Sequence, residues 1–314
     1  MEIVYLDQNK WVELARVHAG KIKSGPLVTL YGQLIDAVES GKVLFPLSTS
    51  HILETSKRND PISRGHMAET QAALSRGLCY RSRAGRLEIE IRCALHRLFG
   101  GRPPELPEHW AIARGFLQAF EPLDSLISAP AESRLTEIIN SSMDPADLYV
   151  SFMSEQDDSR RRFAHVKITE GMSEIISGIE SRRALMIGDS LDLRRRCYSA
   201  QLFLDHQNSF IRILLELGYS PEQYLALGER IKSLIEDVPT LNIEAEMAAR
   251  IEAESGSLKQ NDIYDIQAFY TAIPYSSRVI AEKASISRAR QAKLDVKYGV
   301  TFSRSLTDLV DLYS

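Results

Sequence analysis

The sequence predicts an α/β fold in which a central parallel sheet is combined with a large helical insertion. Two strand-and-helix pairs open the chain, with the strands at residues 3–6 and 43–47. Helical periodicity then dominates from about residue 60 to about residue 240, and strand patterns return only within residues 278–302. Alternating strands and helices are typical of a parallel sheet, so the two ends of the chain are expected to build one sheet.

The first strand and the first helix meet at Asp7. Residues 3–6 form an apolar run of branched and aromatic side chains, which is typical of a buried strand. Helical spacing follows, with Trp11, Leu14 and Ala15 on one face. Aspartate favours the start of a helix, and a carboxylate at the end of a parallel strand projects into the crevice where α/β sheets place their sites.

The second pair repeats this arrangement. An amphipathic helix is predicted over 26–40 and a strand over 43–47, where Pro46 weakens the strand or marks its end. The hydroxyl cluster at 48–50 predicts a helix start, with any of the three residues as the cap. Glu54 falls within the first two turns of that helix and points toward its N-terminus.

The helical segment divides the predicted core. Residues 1–58 and 241–314 are expected to form one discontinuous α/β core, and residues 59–240 an all-α insertion. A Gly- and Pro-rich loop over 100–107 separates two groups of helices. The predicted helices cover 62–100 as one or two elements, then about 108–118, 131–142, 144–154, 160–178, 194–218 and 221–236.

The α/β pattern returns after this segment and brings further acidic residues. A helix over 260–273 carries Asp262 and Asp265 in its opening turns, and a strand over 278–281 ends at Glu282. Strand ends and helix starts in a parallel sheet lie at one edge, so the acidic residues of both chain ends are expected to meet there.

The acidic residues predict a metal site. Clustered carboxylates repel one another and need a cation when they are buried. Ligand sets made only of oxygen favour Mg²⁺ or Mn²⁺. A divalent ion of this kind can activate water and stabilise the charge that develops on a phosphodiester.

Four short motifs carry the acids: Tyr5-Leu6-Asp7, Ser48-x5-Glu54, Asn261-Asp262-x2-Asp265 and Ala272-Ile273-Pro274-Tyr275-x3-Val279-Ile280-Ala281-Glu282-Lys283. In this order they resemble the PIN-domain nucleases, specifically a PIN-like branch with a long helical insertion. The resemblance implies a three-layer α/β/α core with a central parallel sheet. It also implies a metal-dependent endoribonuclease and a role in bacterial toxin–antitoxin or phage-defence systems.

The resemblance assigns roles residue by residue. Asp7 matches the first acid of the family, Glu54 the second and Asp262 the third, with Asp265 a neighbouring candidate. Glu282 matches the final acid, where aspartate is commoner. The four matched acids would be catalytic, and together with Asp265 they would hold Mg²⁺ or Mn²⁺.

Several partners follow from the nuclease hypothesis. The substrate is expected to be nucleic acid, with RNA favoured over DNA, and the helical insertion would select substrate or bind a regulatory protein. Candidate substrate-binding residues are Asn9, Lys10, Ser48, Arg288 and Arg290. The arginine runs at 160–162 and 194–196 are weaker candidates, because arginine runs on helices are commonly solvated faces.

Two alternatives remain open. A non-catalytic PIN-like nucleic-acid-binding or scaffold protein would keep the fold without a working metal site. Ser276 and Ser277 support it, because related sequences often carry an aspartate in this loop and serine cannot replace an anionic ligand. A metal-dependent phosphatase for a small substrate would use the same carboxylates. Taken singly, Asp7 and Asp262 could also be helix caps. Glu54 and Glu282 could be ordinary solvated side chains.

Composition limits where the protein acts. The formal net charge of -4 shows no global nucleic-acid footprint, so a basic binding surface would have to be local. No apolar run approaches the ~20 residues needed to span a bilayer, and the N-terminus lacks a secretory pattern. Three widely spaced cysteines are expected to be reduced thiols. A cytoplasmic location without membrane contact is therefore expected.

Overall fold

The computed structural model describes residues 1–122, 126, 138, 141–154 and 157–313, and all their side chains except those of residues 160, 229, 231, 232 and 311. Packing divides the chain into two compact units. The sheet unit comprises residues 1–82, 111–171 and 271–314, and the helical unit comprises residues 83–110 and 172–270.

The elements of the described residues follow in chain order. The strands are β1 (Glu2–Leu6), β2 (Val43–Leu44), β3 (Leu78–Tyr80), β4 (Ile112–Arg114), β5 (Arg278–Ile280) and β6 (Thr301–Ser303). The α-helices are α1 (Gln8–His18), α2 (Pro26–Glu39), α3 (Thr49–Ser56), α4 (Pro61–Ser75), α5 (Arg83–Leu98), α6 (Pro145–Ser154), α7 (Asp158–Leu185), α8 (Leu191–Glu216), α9 (Pro221–Leu225), α10 (Pro239–Ala253), α11 (Gln260–Ala272), α12 (Lys283–Gln291) and α13 (Leu294–Tyr298). Short 3-10 turns cover Phe116–Ala119, Gly228–Ser233, Ile273–Tyr275 and Leu306–Leu312.

A four-stranded parallel sheet forms the centre of the sheet unit, in the order β2–β1–β5–β6. Leu6 lies opposite Ile280, and Ile280 lies opposite Ser303, so three strands end in register at one edge. This sheet, within a mostly helical chain, confirms the predicted α/β character. The three-layer PIN-like arrangement stays a prediction.

The core of the sheet unit packs against β1. Trp11 and Leu14 of α1 are fully buried and join Val4 and Leu6 in one apolar cluster. The predicted spacing of the first helix is therefore confirmed, since the residues at i and i+3 face the core. Leu309, in the C-terminal 3-10 turn, completes the same cluster.

The second strand is shorter than the predicted strand over 43–47. β2 ends at Leu44, and the ladder is interrupted before Pro46, which has no N–H to donate. Leu47 then resumes pairing, but with Cys79 of β3 rather than with β1. The Leu47 N–H donates to the Leu78 carbonyl at 3.0 Å, and the Tyr80 N–H donates to the Leu47 carbonyl at 2.8 Å.

The prediction of an all-α insertion over 59–240 is wrong in one respect. β3 and β4 lie inside this range and pair antiparallel, with Cys79 opposite Ala113. The helix predicted over 108–118 is therefore also wrong: β4 and a 3-10 turn occupy these positions. Each strand has three residues and its partner lies more than 30 residues away, so local periodicity carries little of the signal.

The other predicted helices vary in their agreement with the structure. Those over 144–154, 160–178 and 194–218 are confirmed as α6, α7 and α8, with α7 running longer than predicted. The helix predicted over 221–236 ends early: α9 stops at Leu225, and a 3-10 turn covers Gly228–Ser233. The helix over 131–142 falls mostly outside the described residues.

The boundaries of the two compact units differ from those of the predicted core and insertion. The sheet unit includes α4 and α6, which pack on each other, and α4 also packs on α1. Compactness measures packing and does not show which segment was inserted into which. The assignment of residues 1–58 and 241–314 as a core, and of 59–240 as an insertion, stays a prediction.

The helical unit is built around α5, α8 and α10, which pack on one another. Among the acids of this unit that pair with arginines, Glu252, 2 % exposed, contacts Arg182 at 3.3 Å and Arg194 at 3.1 Å. Glu244 contacts Arg83 at 2.6 Å. No helix among the described residues combines the length and the apolar character needed to cross a membrane.

Candidate functional site

The candidate site lies at the edge of the sheet where β1 and β5 end. The connection from β1 leads to β2 on one side, and that from β5 leads to β6 on the other. The boundary between β1 and β5 is therefore the topological switch point, where α/β sheets open a crevice. Asp7 directly follows β1, and Glu282 follows β5 by two residues.

Asp7 is held by the backbone on both sides. Its N–H donates to the Ile280 carbonyl at 2.8 Å, which ties the end of β1 to β5. Its carboxylate Oδ1 accepts the backbone N–H of Gln8 at 2.8 Å and caps α1. Asp7 is therefore the N-cap of α1. The cap keeps its side chain at the sheet edge.

Glu282 lies at the start of α12 and is connected to the other strand end. Its Oε1 accepts a hydrogen bond from the Asn9 side-chain amide at 2.5 Å. Asn9 lies two residues after Asp7, on the first turn of α1. Asn9, predicted as a substrate-binding residue, therefore bridges the segments that carry the first and the last predicted acid.

Asp7 and Glu54 both act electrostatically on the Tyr5 hydroxyl. Burial raises the pKa of Tyr5 well above its usual value, and the Asp7 and Glu54 carboxylates raise it further. Both charges act on one buried group, so Asp7 and Glu54 lie within electrostatic reach of the same point. The guanidinium of Arg58 also senses Glu54, whose charge opposes the lowering of the Arg58 pKa by burial.

Of the three predicted candidates, Ser48 is the N-cap of α3. Its side chain is 2 % exposed. The Ser48 N–H donates to His51 Nδ1 at 3.1 Å, and the His51 N–H donates back to Ser48 Oγ. Burial lowers the pKa of His51 to about 3, so its ring is neutral. These contacts hold the turn that precedes Glu54 and leave Ser48 little surface for a substrate.

Ser276 has a structural partner in place of the aspartate that the resemblance expects. Its hydroxyl is 2.7 Å from the Tyr80 hydroxyl, and both residues are buried. The Tyr80 ring lies 6.1 Å from the ring of Tyr5, which in turn stacks on His51 at 4.8 Å. The position is therefore part of a buried cluster of hydroxyl and aromatic groups beside the acids.

Asp262 and Asp265 belong to the helical unit. The Asp262 carboxylate accepts the Lys259 backbone N–H at 2.9 Å at the start of α11, which is the reciprocal half of a capping box. Both aspartates are half-buried. Their roles as third acid and neighbouring ligand rest on the sequence motif alone.

Three other predicted substrate-binding residues have contacts within the sheet unit. Lys10 pairs with Glu13 at 2.6 Å. Arg290 donates to the Phe302 carbonyl at 3.0 Å, which ties α12 to β6. Arg288 is 9 % exposed, so little of its side chain faces solvent. These three residues thus have packing or pairing roles whether or not they meet a substrate.

Gln8 and Thr55 are residues of this site that sequence reasoning missed. The Gln8 side-chain amide donates to the Thr55 hydroxyl at 3.3 Å. Each lies directly after a predicted acid, Gln8 after Asp7 and Thr55 after Glu54. In the sequence, each is simply a polar residue on a predicted helix. The structure shows that Gln8 is half-buried and Thr55 fully buried.

The donor chemistry at this edge fits a hard divalent cation. Asp7, Glu54 and Glu282 offer oxygen ligands, which suit Mg²⁺ or Mn²⁺. Across the residues that the structure describes, no group of three or more His, Cys, Asp or Glu side chains is arranged to hold a metal ion. The acids therefore share an edge and neighbours, and binding would require their side chains to turn toward a common point.

Comparisons with known proteins find no relative from which a function could be transferred. No protein-family model matches the chain, and neither a curated protein nor a solved structure matches it significantly. The PIN-like resemblance therefore rests on the four motifs and on their positions in the fold.

Proposed function

We propose that the protein is a metal-dependent nuclease whose site lies at the β1–β5 edge of the sheet. The observation that carries the proposal is the placement of Asp7 and Glu282 on either side of the switch point, joined through Asn9. Clustered acids are costly unless a cation or a proton compensates them. Asp7, Glu54 and Glu282 would hold Mg²⁺ or Mn²⁺, which when bound supplies Lewis-acid activation of water and phosphate.

RNA is the proposed substrate, and this choice follows from the PIN-like motifs. Asp7 and Glu282 would orient the ion, and Asn9 would orient Glu282. The buried cluster around Tyr5 would exclude water from the side of the site that faces the protein interior. The motif also assigns Asp262 and Asp265 to the metal site. A role as a toxin or phage-defence effector is proposed on the same resemblance.

Cleavage of a labelled single-stranded RNA tests the proposal. We expect cleavage with Mn²⁺ or Mg²⁺, and its loss in excess EDTA. Asp7→Asn should lower the rate about 100- to 1,000-fold, because a ligand to a catalytic cation contributes roughly 3–4 kcal/mol to transition-state stabilisation. The fold should survive, since asparagine caps helices as well as aspartate.

Asp36→Asn is the matched control. Asp36 is an exposed acid on α2 of the same unit, so its variant loses an equal charge away from the site. Its rate should stay within about twofold of the wild type. Cleavage that persists in EDTA, or an Asp7→Asn variant of full activity, would refute the proposal.

A non-catalytic nucleic-acid-binding or scaffold protein is the second candidate. The structure favours it at one point, because Ser276 is buried against Tyr80 where an acid is expected. RNA that is retained without cleavage at any Mn²⁺ concentration would identify this function. Turnover of a mononucleotide but not of an oligonucleotide would identify a phosphatase.

A further inference from the structure

A chain of hydrogen bonds runs through the sheet unit from Gln8, the residue after Asp7. The Gln8 amide donates to Thr55 Oγ1, and Thr55 Oγ1 donates to Gln71 Oε1 at 3.0 Å. The Tyr149 hydroxyl donates to the same Gln71 oxygen at 2.6 Å. Thr55, Gln71 and Tyr149 are each 0 % exposed, so water does not compete for the two bonds to Gln71, while the bond from the half-buried Gln8 is partly buried.

This chain of hydrogen bonds connects the two helices that begin at or carry the first two predicted acids, Asp7 and Glu54. Gln8 belongs to α1 and follows Asp7, and Thr55 belongs to α3 and follows Glu54. The bond between Gln8 and Thr55 therefore limits how far α1 can shift against α3. Metal ligands must be held to a few tenths of an ångström, and neighbouring hydrogen bonds commonly provide that precision.

Thr55 is the central link of this chain. Its single hydroxyl accepts from Gln8 and donates to Gln71, so one oxygen holds α1, α3 and α4 together. Tyr149 ends the chain on α6, and its hydroxyl acts on the shared Gln71 oxygen rather than on α1. Loss of the Thr55 hydroxyl would remove the hydrogen bond between α1 and α3, whereas loss of the Tyr149 hydroxyl would leave that bond in place.

We propose that Thr55 is a positioning residue that sets the spacing of the Asp7 and Glu54 carboxylates and thereby the affinity of the site for Mn²⁺ or Mg²⁺. The inference rests on the proposed function, because it assumes that these carboxylates bind a cation. Thr55 itself does not contact the ion or the substrate in this proposal.

The experiment measures the Mn²⁺ dissociation constant by calorimetry, and RNA cleavage in parallel, for three variants of the full chain. Thr55→Val removes the hydroxyl at nearly constant shape and should weaken Mn²⁺ binding about tenfold, the lower end of the effect seen for groups that orient metal ligands. Thr55→Ser keeps a hydroxyl at this position, so its Mn²⁺ affinity should stay within about threefold of the wild type. Tyr149→Phe should stay within about twofold.

The melting temperature separates positioning from general stability. Tyr149→Phe removes one buried hydrogen bond to Gln71, and Thr55→Val removes the bond to Gln71 and the bond from Gln8, so both should lower the melting temperature, Thr55→Val by more. Equal losses of Mn²⁺ affinity in both variants, or unchanged affinity in Thr55→Val, would overturn the inference while the nuclease proposal stands. Failure of the wild type to bind Mn²⁺ would overturn both.

Gln8→Met provides a second route if Thr55→Val does not fold. It removes the donor from the α1 side and keeps the Gln8 backbone N–H that Asp7 accepts. We expect the same loss of about tenfold in Mn²⁺ affinity. The double variant Gln8→Met/Thr55→Val should lose no more Mn²⁺ affinity than either single variant, because both changes break the same Gln8–Thr55 hydrogen bond. Additive losses would contradict the shared link.

Discussion

Acidic side chains in the two compact units have different partners. In the helical unit, Glu252 contacts two arginines and Glu244 contacts another, so guanidinium groups cancel their charge. At the sheet edge, Asp7 accepts a backbone N–H and Glu282 accepts an amide, both neutral donors. A neutral donor orients a carboxylate and adds no positive charge of its own. Arginine pairing therefore marks Glu252 and Glu244 as structural acids, whereas a neutral donor alone does not identify a ligand: the buried Glu90 of the helical unit accepts the N–H and the hydroxyl of Thr240.

Breaking an arginine-paired acid is expected to give the largest change in stability. Glu252→Gln should lower the free energy of unfolding by about 3–5 kcal/mol, because it leaves the buried Arg194 without its counter-charge. Mn²⁺ affinity should stay within about twofold. Urea denaturation and calorimetry measure the two effects. Glu180→Gln, an exposed acid on α7, is the control and should change stability by less than about 0.5 kcal/mol.

A loss below about 1 kcal/mol for Glu252→Gln would contradict the structural role of the ion pairs. A large loss of Mn²⁺ affinity in the folded variant would remove the distinction between the two groups of acids.

The sheet edge should carry an acid-sensitive contribution from His51. Its folded pKa of about 3 lies below the usual 6.5, so the unfolded chain binds the proton first. The contribution is complete above about pH 6.5 and is lost progressively as the pH falls toward 3. Between pH 7.5 and pH 5, this group alone should lower the free energy of unfolding by about 2 kcal/mol.

His51→Gln isolates this contribution. Glutamine at this position can accept the Ser48 N–H in a capping box, and it does not titrate. The difference in urea denaturation between pH 7.5 and pH 5 should therefore be about 2 kcal/mol smaller in the variant than in the wild type. Identical pH dependence in both proteins would show that His51 is not held neutral.

The smallest expected effect concerns the bridge between the two strand ends. Asn9→Ala removes the amide that Glu282 accepts and should slow RNA cleavage about tenfold, the lower end of the range for groups that orient metal ligands. Stability should change by less than about 0.5 kcal/mol, since Asn9 is exposed. Gln291→Ala, an exposed amide on α12, is the control. An unchanged rate in Asn9→Ala would mean that Glu282 needs no orientation.

Local sequence patterns predicted those elements whose formation depends mainly on residues close to one another in the sequence. The strand before Asp7, the buried face with Trp11 and Leu14, and the hydroxyl start of α3 all follow from spacing and capping preferences. β3 and β4 could not be found this way, because two three-residue strands are stabilised by pairing with each other and with Leu47.

The same limit applies to the site. The acids at strand ends were visible in the sequence because the position of a strand end is a local feature. The contacts from Asn9 to Glu282 and from Gln8 to Thr55 join residues 273 and 47 positions apart, so one sequence contains no sign of them. Asp262 shows the converse, since its motif suggested a ligand and its observed contact is a helix cap.

Crystals soaked in Mn²⁺ test the central claim most directly. We expect an anomalous difference peak at the β1–β5 edge, about 2.1 Å from carboxylate oxygens of Asp7 and Glu282. This peak should disappear in crystals of Asp7→Asn. A saturating soak that gives no peak at this edge, or a peak held only by acids elsewhere, would contradict the central claim.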